Sequence, residues 1–140
     1  MSRILLLEDD LSLINGLTFT FKKQGHEADI ARTLDEAEKI WSDGKYDLLI
    51  LDVSLPDGSG FDFCKMVRQV SRVPIIFLTA SDEETSIIMG LDMGGDDYIT
   101  KPFKLGVLIS RINALLRRVK DFGTADTELQ SNGIRVLLLQ

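Results

Sequence analysis

The sequence predicts an α/β fold: a doubly wound, five-stranded parallel sheet built from five β–α units. Three observations carry that expectation. Short, near-continuously apolar runs recur along the chain, as strands buried on both faces require. Segments with helical spacing alternate with them. The 140 residues are enough for one such domain, with a core that buries about two-thirds of the unfolded surface.

The apolar runs are Ile4–Leu7, Ala28–Ala31 (interrupted by Asp29), Leu48–Leu51, Ile75–Leu78 and, more weakly, Tyr98–Thr100. After the first run, Ile14, Leu17 and Phe21 fall on one helical face. Leu34, Ala37 and Trp41 form the second face, Phe61, Cys64 and Val67 the third, and Ile87, Ile88 and Leu91 the fourth. The clearest stripe is the fifth: Leu105, Leu108, Ile109, Ile112, Leu115, Leu116 and Val119. Residues 1–119 therefore read as one domain, with right-handed crossovers between parallel strands. Residues 120–126 read as a linker, charged at first and then small and polar around Gly123. Residues 127–140 read as a β-hairpin fragment, because Asn132-Gly133 separates two runs in the strongest short hairpin pattern. A lone hairpin is marginal in water, so the fragment is expected to begin a further C-terminal domain.

Bulk properties exclude several classes. Hydrophobic residues at 44% and charged residues at 27% describe a water-soluble domain rather than a disordered or membrane chain. A net charge of −6 argues against a generic nucleic-acid surface, which needs Lys and Arg for phosphates. The single Cys64 can form neither an internal disulfide nor a thiolate metal cluster, which fits a reducing cytoplasm. There is no secretory leader pattern, and no apolar stretch approaches bilayer length.

In a doubly wound sheet, sites form beyond the carboxyl ends of the strands. The first strand delivers Glu8, Asp9 and Asp10 there. The third delivers Asp52 and the loop Val53-Ser54-Leu55-Pro56-Asp57-Gly58, the fourth Thr79, and the fifth is followed by Lys101-Pro102. Acids, a hydroxyl and an ammonium thus meet at one rim. Clustered carboxylates repel unless a cation joins them, and Mg²⁺ is the natural one for oxygen donors. A carboxylate nucleophile would form an acyl phosphate whose oxygens the metal, Lys101 and the Thr79 hydroxyl could hold. Taken singly each residue has a plainer role: Asp10 suits a helix cap, Thr79 a turn and Lys101 the surface. The conjunction of four strand ends carries the signal.

These residues carry a family resemblance. Ile4-Leu5-Leu6-Leu7-Glu8-Asp9-Asp10, Leu51-Asp52-Val53-Ser54-Leu55-Pro56-Asp57-Gly58-Ser59-Gly60, Thr79-Ala80 and Asp96-Asp97-Tyr98-Ile99-Thr100-Lys101-Pro102-Phe103 resemble the receiver domain of two-component response regulators. The Asp96–Phe103 segment and Leu115-Leu116-Arg117-Arg118 point to the OmpR/PhoB subfamily of transcription factors. The resemblance implies a flavodoxin-like strand order 2-1-3-4-5 and a phosphoacceptor at Asp52, modified by a sensor histidine kinase. It implies Mg²⁺ (or Mn²⁺) bound by Asp9, Asp52 and the Ser54 backbone carbonyl, with Glu8 acting through water. Thr79 and Lys101 would bind the phosphoryl group, Lys101–Pro102 would be cis, and Thr79 with Tyr98 would form the switch. Homodimerisation through the fourth helix, the last strand and the fifth helix would follow, then promoter DNA binding by a C-terminal winged-helix domain, with no membrane role.

Several positions depart from that pattern. Asp97 and Arg111 match a salt-bridge pair common at the family's dimer interface. Ile87 and Val107 stand where the family usually has a basic residue and a Glu, and Asn113 where a basic residue is common. The paired change from charge to apolar suggests that Ile87 packs on Val107 across the dimer. Ser54 and Ser81 are small and polar, which implies an accessible, short-lived acyl phosphate. An aspartate-nucleophile phosphatase of the haloacid dehalogenase type would need an Asp at position 54, where Ser stands. A stand-alone receiver would end near Val119. A degenerate receiver would lack part of the set Asp9, Asp52, Thr79 and Lys101.

Overall fold

The computed structural model describes the backbone of residues 2–80 and 84–129, and their side chains except 84–86 and 119–129. The chain divides after Lys104 into two compact units. The first contains β1 (Arg3–Leu7), α1 (Leu11–Lys23), β2 (Glu27–Ala31), α2 (Leu34–Ile40), β3 (Leu48–Asp52), β4 (Ser54–Leu55), β5 (Gly58–Ser59), α3 (Gly60–Arg68), β6 (Ile75–Thr79), α4 (Glu84–Asp92) and β7 (Asp97–Thr100). The second contains α5 (Leu105–Leu129).

The five long strands form one parallel sheet in the order β2-β1-β3-β6-β7. Counting only these strands, this is the expected 2-1-3-4-5 order. Side chains alternate between the two faces of a strand. Leu5, Leu7, Leu49, Leu51, Ile75 and Phe77 share one face with Ala37 of α2 and with Phe63, Cys64 and Val67 of α3. The alternate residues Ile4, Leu6, Leu48, Ile50, Ile76 and Leu78 are also fully buried, so the sheet is covered on both faces. On α1, Ile14, Leu17 and Phe21 are the buried residues, the same three the spacing picks out. Trp41 stacks on Tyr46 and meets the edge of Phe63.

Polar side chains set the helix starts, each accepting from amides that lack intrahelical partners. Asp10 accepts from Ser12 and Leu13 at the start of α1, and Thr33 accepts from Glu36 at the start of α2. Ser59 accepts from Phe61 at the start of α3.

Three elements differ from the sequence reading. On α4, Ile88 and Leu91 are 49% and 42% exposed, and among its described side chains and glycines the buried residue is Gly90. There α4 comes close to Phe61, Phe77 and Tyr98, whose rings would have to shift to admit even a Cβ. The loop after β3 contains a two-stranded antiparallel pairing, β4 with β5, too short to show in a periodicity. Helix α5 continues to Leu129, across the segment 120–126 read as a linker. One glycine in a run of helix-compatible residues costs about 1 kcal/mol and need not end a helix. The hairpin expected over 127–140 lies outside the described residues from position 130 onward. Within α5, Leu108, Ile112 and Leu115 are buried, while Leu105 and Val107 are exposed. No described helix is long and apolar enough to cross a membrane.

Candidate functional site

The parallel register brings four strand ends to one edge. β1 leads into Glu8, β3 ends at Asp52, β6 ends at Thr79, and β7 leads into Lys101. Glu8, Asp52 and Thr79 are the buried polar residues of the described chain. Their partners explain how they tolerate burial. One Glu8 oxygen accepts from the Asp9 and Asp10 amides, both at 3.1 Å. The other receives the Lys101 ammonium at 2.9 Å, and the same ammonium reaches Asp52 at 3.1 Å. The second Asp52 oxygen accepts from the Ser54 amide at 3.1 Å. The Thr79 carbonyl accepts from the Lys101 amide at 2.6 Å, and the Lys101–Pro102 peptide is cis, as the resemblance implies.

The carboxylates of Glu8, Asp9 and Asp52 can bring one oxygen each within 4.8 Å of the others. Two full charges at that separation repel by about 3.5 kcal/mol at an effective dielectric constant of about 20. Lys101 offsets part of this. Burial is the larger influence on Glu8 and holds its carboxyl above the ordinary glutamate range, against the Lys101 ammonium and the Asp10 amide. Burial also works against the Lys101 charge, but the hydrogen bond to Glu8 and the charges of Asp52 and Glu8 outweigh it and hold Lys101 above the ordinary lysine range. The two shifts oppose each other within one ion pair because Glu8 is wholly buried, whereas Lys101 is 26% exposed and keeps part of its hydration. Three carboxylates against one ammonium leave two negative charges when all are ionised, a donor set of hard oxygens that suits a hard divalent cation.

The loop after Asp52 is closely built. A Cβ on Gly60 would fall on the Asp52 carbonyl oxygen, so only glycine fits there. Asp10, the third residue of the acidic run, points to helix α1 as its cap and not to the cluster. Tyr98 is half-buried on β7, its ring tilted against Phe77 at 6.4 Å. The remaining candidates are not brought together within one unit: Ile87 is half-buried on α4 and Asp97 half-buried on β7, while Val107 and Arg111 are exposed on α5. Ser54 is exposed, and Ser81 lies outside the described residues.

Two residues at this edge are absent from the sequence-based site. Arg32 follows β2, and its guanidinium donates to the Asp9 carbonyl at 3.0 Å. Asp57, between β4 and β5, accepts from the Leu34 and Asp35 amides of α2. Arg32 was accessible to the strand-end argument, since it follows the end of β2; Asp57 was read only as part of the loop after the third strand.

Residues 4–113 match the family described as the response regulator receiver domain. The chain belongs to this family. This receiver is 41% identical over 123 residues to the uncharacterized transcriptional regulatory protein YclJ of Bacillus subtilis, an alignment covering 88% of this chain and 54% of that protein. It is 39% identical over 138 residues to the sensory transduction protein RegX3 of Mycobacterium tuberculosis, covering 97% and 61%. The receiver chain thus spans little more than half the length of these curated relatives. A two-component response regulator from Clostridium difficile superposes with a TM-score of 0.80 at 38% identity, covering 85% of this chain and 98% of that one. The BeF3-activated N-terminal receiver domain of Klebsiella pneumoniae RstA gives 0.77 at 31%, covering 82% and 98%.

Proposed function

We propose that this receiver is a phosphorylation switch of a two-component system, with Asp52 as the phosphoacceptor. The observation that carries the reading is the Lys101 ammonium between Glu8 and Asp52, beside three convergent carboxylates. An Asp52 carboxylate oxygen attacks the phosphorus of a phosphohistidine on a sensor histidine kinase. The O–P bond forms as the P–N bond breaks, and the bonding pair returns to the imidazole nitrogen. Lys101 then exchanges one carboxylate for a phosphoryl oxygen, and the Thr79 hydroxyl takes another. Asp9, Asp52 and the Ser54 carbonyl, with Glu8 through water, would hold a Mg²⁺ (or Mn²⁺) ion, which would supply positive charge against the incoming phosphoryl oxygens. Position 54 carries no acid to protonate a leaving group, so Asp52 stores the phosphoryl group and does not turn over a substrate.

The signal leaves through Thr79 and Tyr98, which shift a pre-existing equilibrium toward a homodimer. The dimer uses α4, β7 and α5, with Asp97 and Arg111 as a salt bridge and Ile87 on Val107 as an apolar contact. In the OmpR/PhoB manner it acts in the cytoplasm on promoter DNA, through a C-terminal DNA-binding domain.

Intact mass after incubation with acetyl phosphate and Mg²⁺ tests the chemistry. The parent is expected to gain one phosphoryl group and Asp52→Asn none. An unmodified parent, or equal modification of both, overturns the assignment.

A further inference from the structure

The turn between β2 and α2 contributes no member of the acidic cluster, yet both loops that do contribute are bonded to it. On one side, the Arg32 guanidinium donates to the Asp9 carbonyl at 3.0 Å, and the Glu8 amide donates to the Ala31 carbonyl at 3.0 Å. On the other side, the two oxygens of Asp57 accept separately from the Leu34 amide at 2.9 Å and the Asp35 amide at 3.1 Å. Packing joins the same parts. Leu34 and Leu55 both lie against the core cluster, and the Leu34 side chain occupies the space where Gly58 would carry a Cβ. The turn is itself tied down, since the Glu36 carboxylate accepts from the Arg32 amide at 2.7 Å.

We propose that the β2–α2 turn is a brace, in which Arg32 and Asp57 are positioning residues that hold the Asp9 loop and the Asp52–Ser54 loop at a fixed separation and so set the divalent-cation affinity of the cluster. This rests on the metal-binding reading above. The physical reason is the repulsion among the three carboxylates, which Lys101 offsets only in part and which works to separate the two loops when no divalent cation is bound. Two charge-assisted ties from one turn resist that motion. The work of assembling the donors is then done on folding, and binding does not have to supply it. Neither tie touches the metal position itself.

The sign of one substitution separates this from simple electrostatics. Arg32 is a cation beside an acidic cluster, so removing its charge alone would tighten cation binding. The brace requires the opposite. Thr33 separates it from helix stability, because Thr33 caps the same helix but bonds neither loop.

The test is a calorimetric Mg²⁺ titration of the parent, Arg32→Met, Asp57→Ala, Asp57→Asn and Thr33→Ala, at a temperature where all are folded. It is paired with amide hydrogen exchange of the metal-free proteins. Arg32→Met and Asp57→Ala are each expected to raise the Kd by about tenfold, the low end for groups that orient metal ligands. Asp57→Asn, which keeps one acceptor, falls between Asp57→Ala and the parent, and Thr33→Ala matches the parent. Exchange accelerates at Asp10 in Arg32→Met and at Ser54 in Asp57→Ala. Tighter binding in Arg32→Met, parent-like binding in Asp57→Ala, or equal weakening in Thr33→Ala overturns the brace. A parent that binds no Mg²⁺ overturns the metal reading instead, and the exchange rates then decide the brace: unchanged rates reject it.

Discussion

Lys101 stands between two carboxylates, 2.9 Å from Glu8 and 3.1 Å from Asp52. Lys101→Met removes the countercharge of a wholly buried glutamate. Breaking a buried ion pair costs about 3–5 kcal/mol, but Glu8 can take up a proton and escape part of that. The expected loss is about 2–3 kcal/mol in metal-free urea denaturation at neutral pH. The pH dependence has a definite sign. Lys101 titrates in the folded chain above its ordinary value of 10.5. Its stabilisation is therefore complete below that value and is lost as pH rises through the folded one. Parent stability should decline above pH 10.5 by more than that of Lys101→Met. Asp57 behaves in the reverse sense. The Leu34 amide chiefly holds its carboxyl below the ordinary value of 3.8. Its tie to α2 is thus complete above that value and released as pH falls through the lowered one, which exchange at the Leu34 amide in acid should show.

Among the elements, the loop from Asp52 to Gly60 tolerates the least change. Gly60→Ala places a methyl group on the Asp52 carbonyl and must move the strand end that carries Asp52, the proposed phosphoacceptor. Overpacking of this kind costs about 1–3 kcal/mol, and here phosphorylation of Asp52 should fall with it. Thermal denaturation and intact mass read the two effects. Asp10→Ala makes a useful contrast, because it removes the cap of α1 and nothing from the cluster. It should cost about 1 kcal/mol and leave phosphorylation intact. Helix α4 shows why an apolar pattern can mislead. Ile87, Ile88 and Leu91 look like a buried stripe, but α4 meets Phe61, Phe77 and Tyr98 through Gly90, which no hydrophobic count would select. Ile88 and Leu91 are left on the surface.

For the whole molecule, the proposed function turns on assembly. An interface with a two-fold axis must complement itself, and an apolar contact between Ile87 and Val107 would be less sensitive to salt than the ion pair it replaces. Val107→Lys should weaken dimerisation of the phosphorylated protein in sedimentation velocity; unchanged dimerisation would remove Ile87 and Val107 from the interface. If the proposed interface forms, raising the salt concentration should weaken its Asp97–Arg111 ion pair and spare the apolar contact. Val107 is 43% exposed on α5, so its side chain is open to such a contact.

The sequence alone determined the sheet, its five long strands and the chemistry of its rim. Strands buried on both faces must be apolar throughout, and a polar residue that ends the run at a strand's C-terminus falls at the carboxyl edge. That is why Glu8, Asp9, Asp52, Thr79 and Lys101 were legible before any coordinates. Only the tertiary structure decided what each carboxylate touches. Asp9 and Asp10 are neighbours of one type, yet Asp9 joins the cluster and Asp10 caps a helix. The ties from Arg32 and Asp57 were hidden for the same reason: the first joins residues 23 positions apart, the second 23 and 22 apart. Periodicity reports which way a side chain faces, but a hydrogen bond between two loops depends on where the fold places both of them.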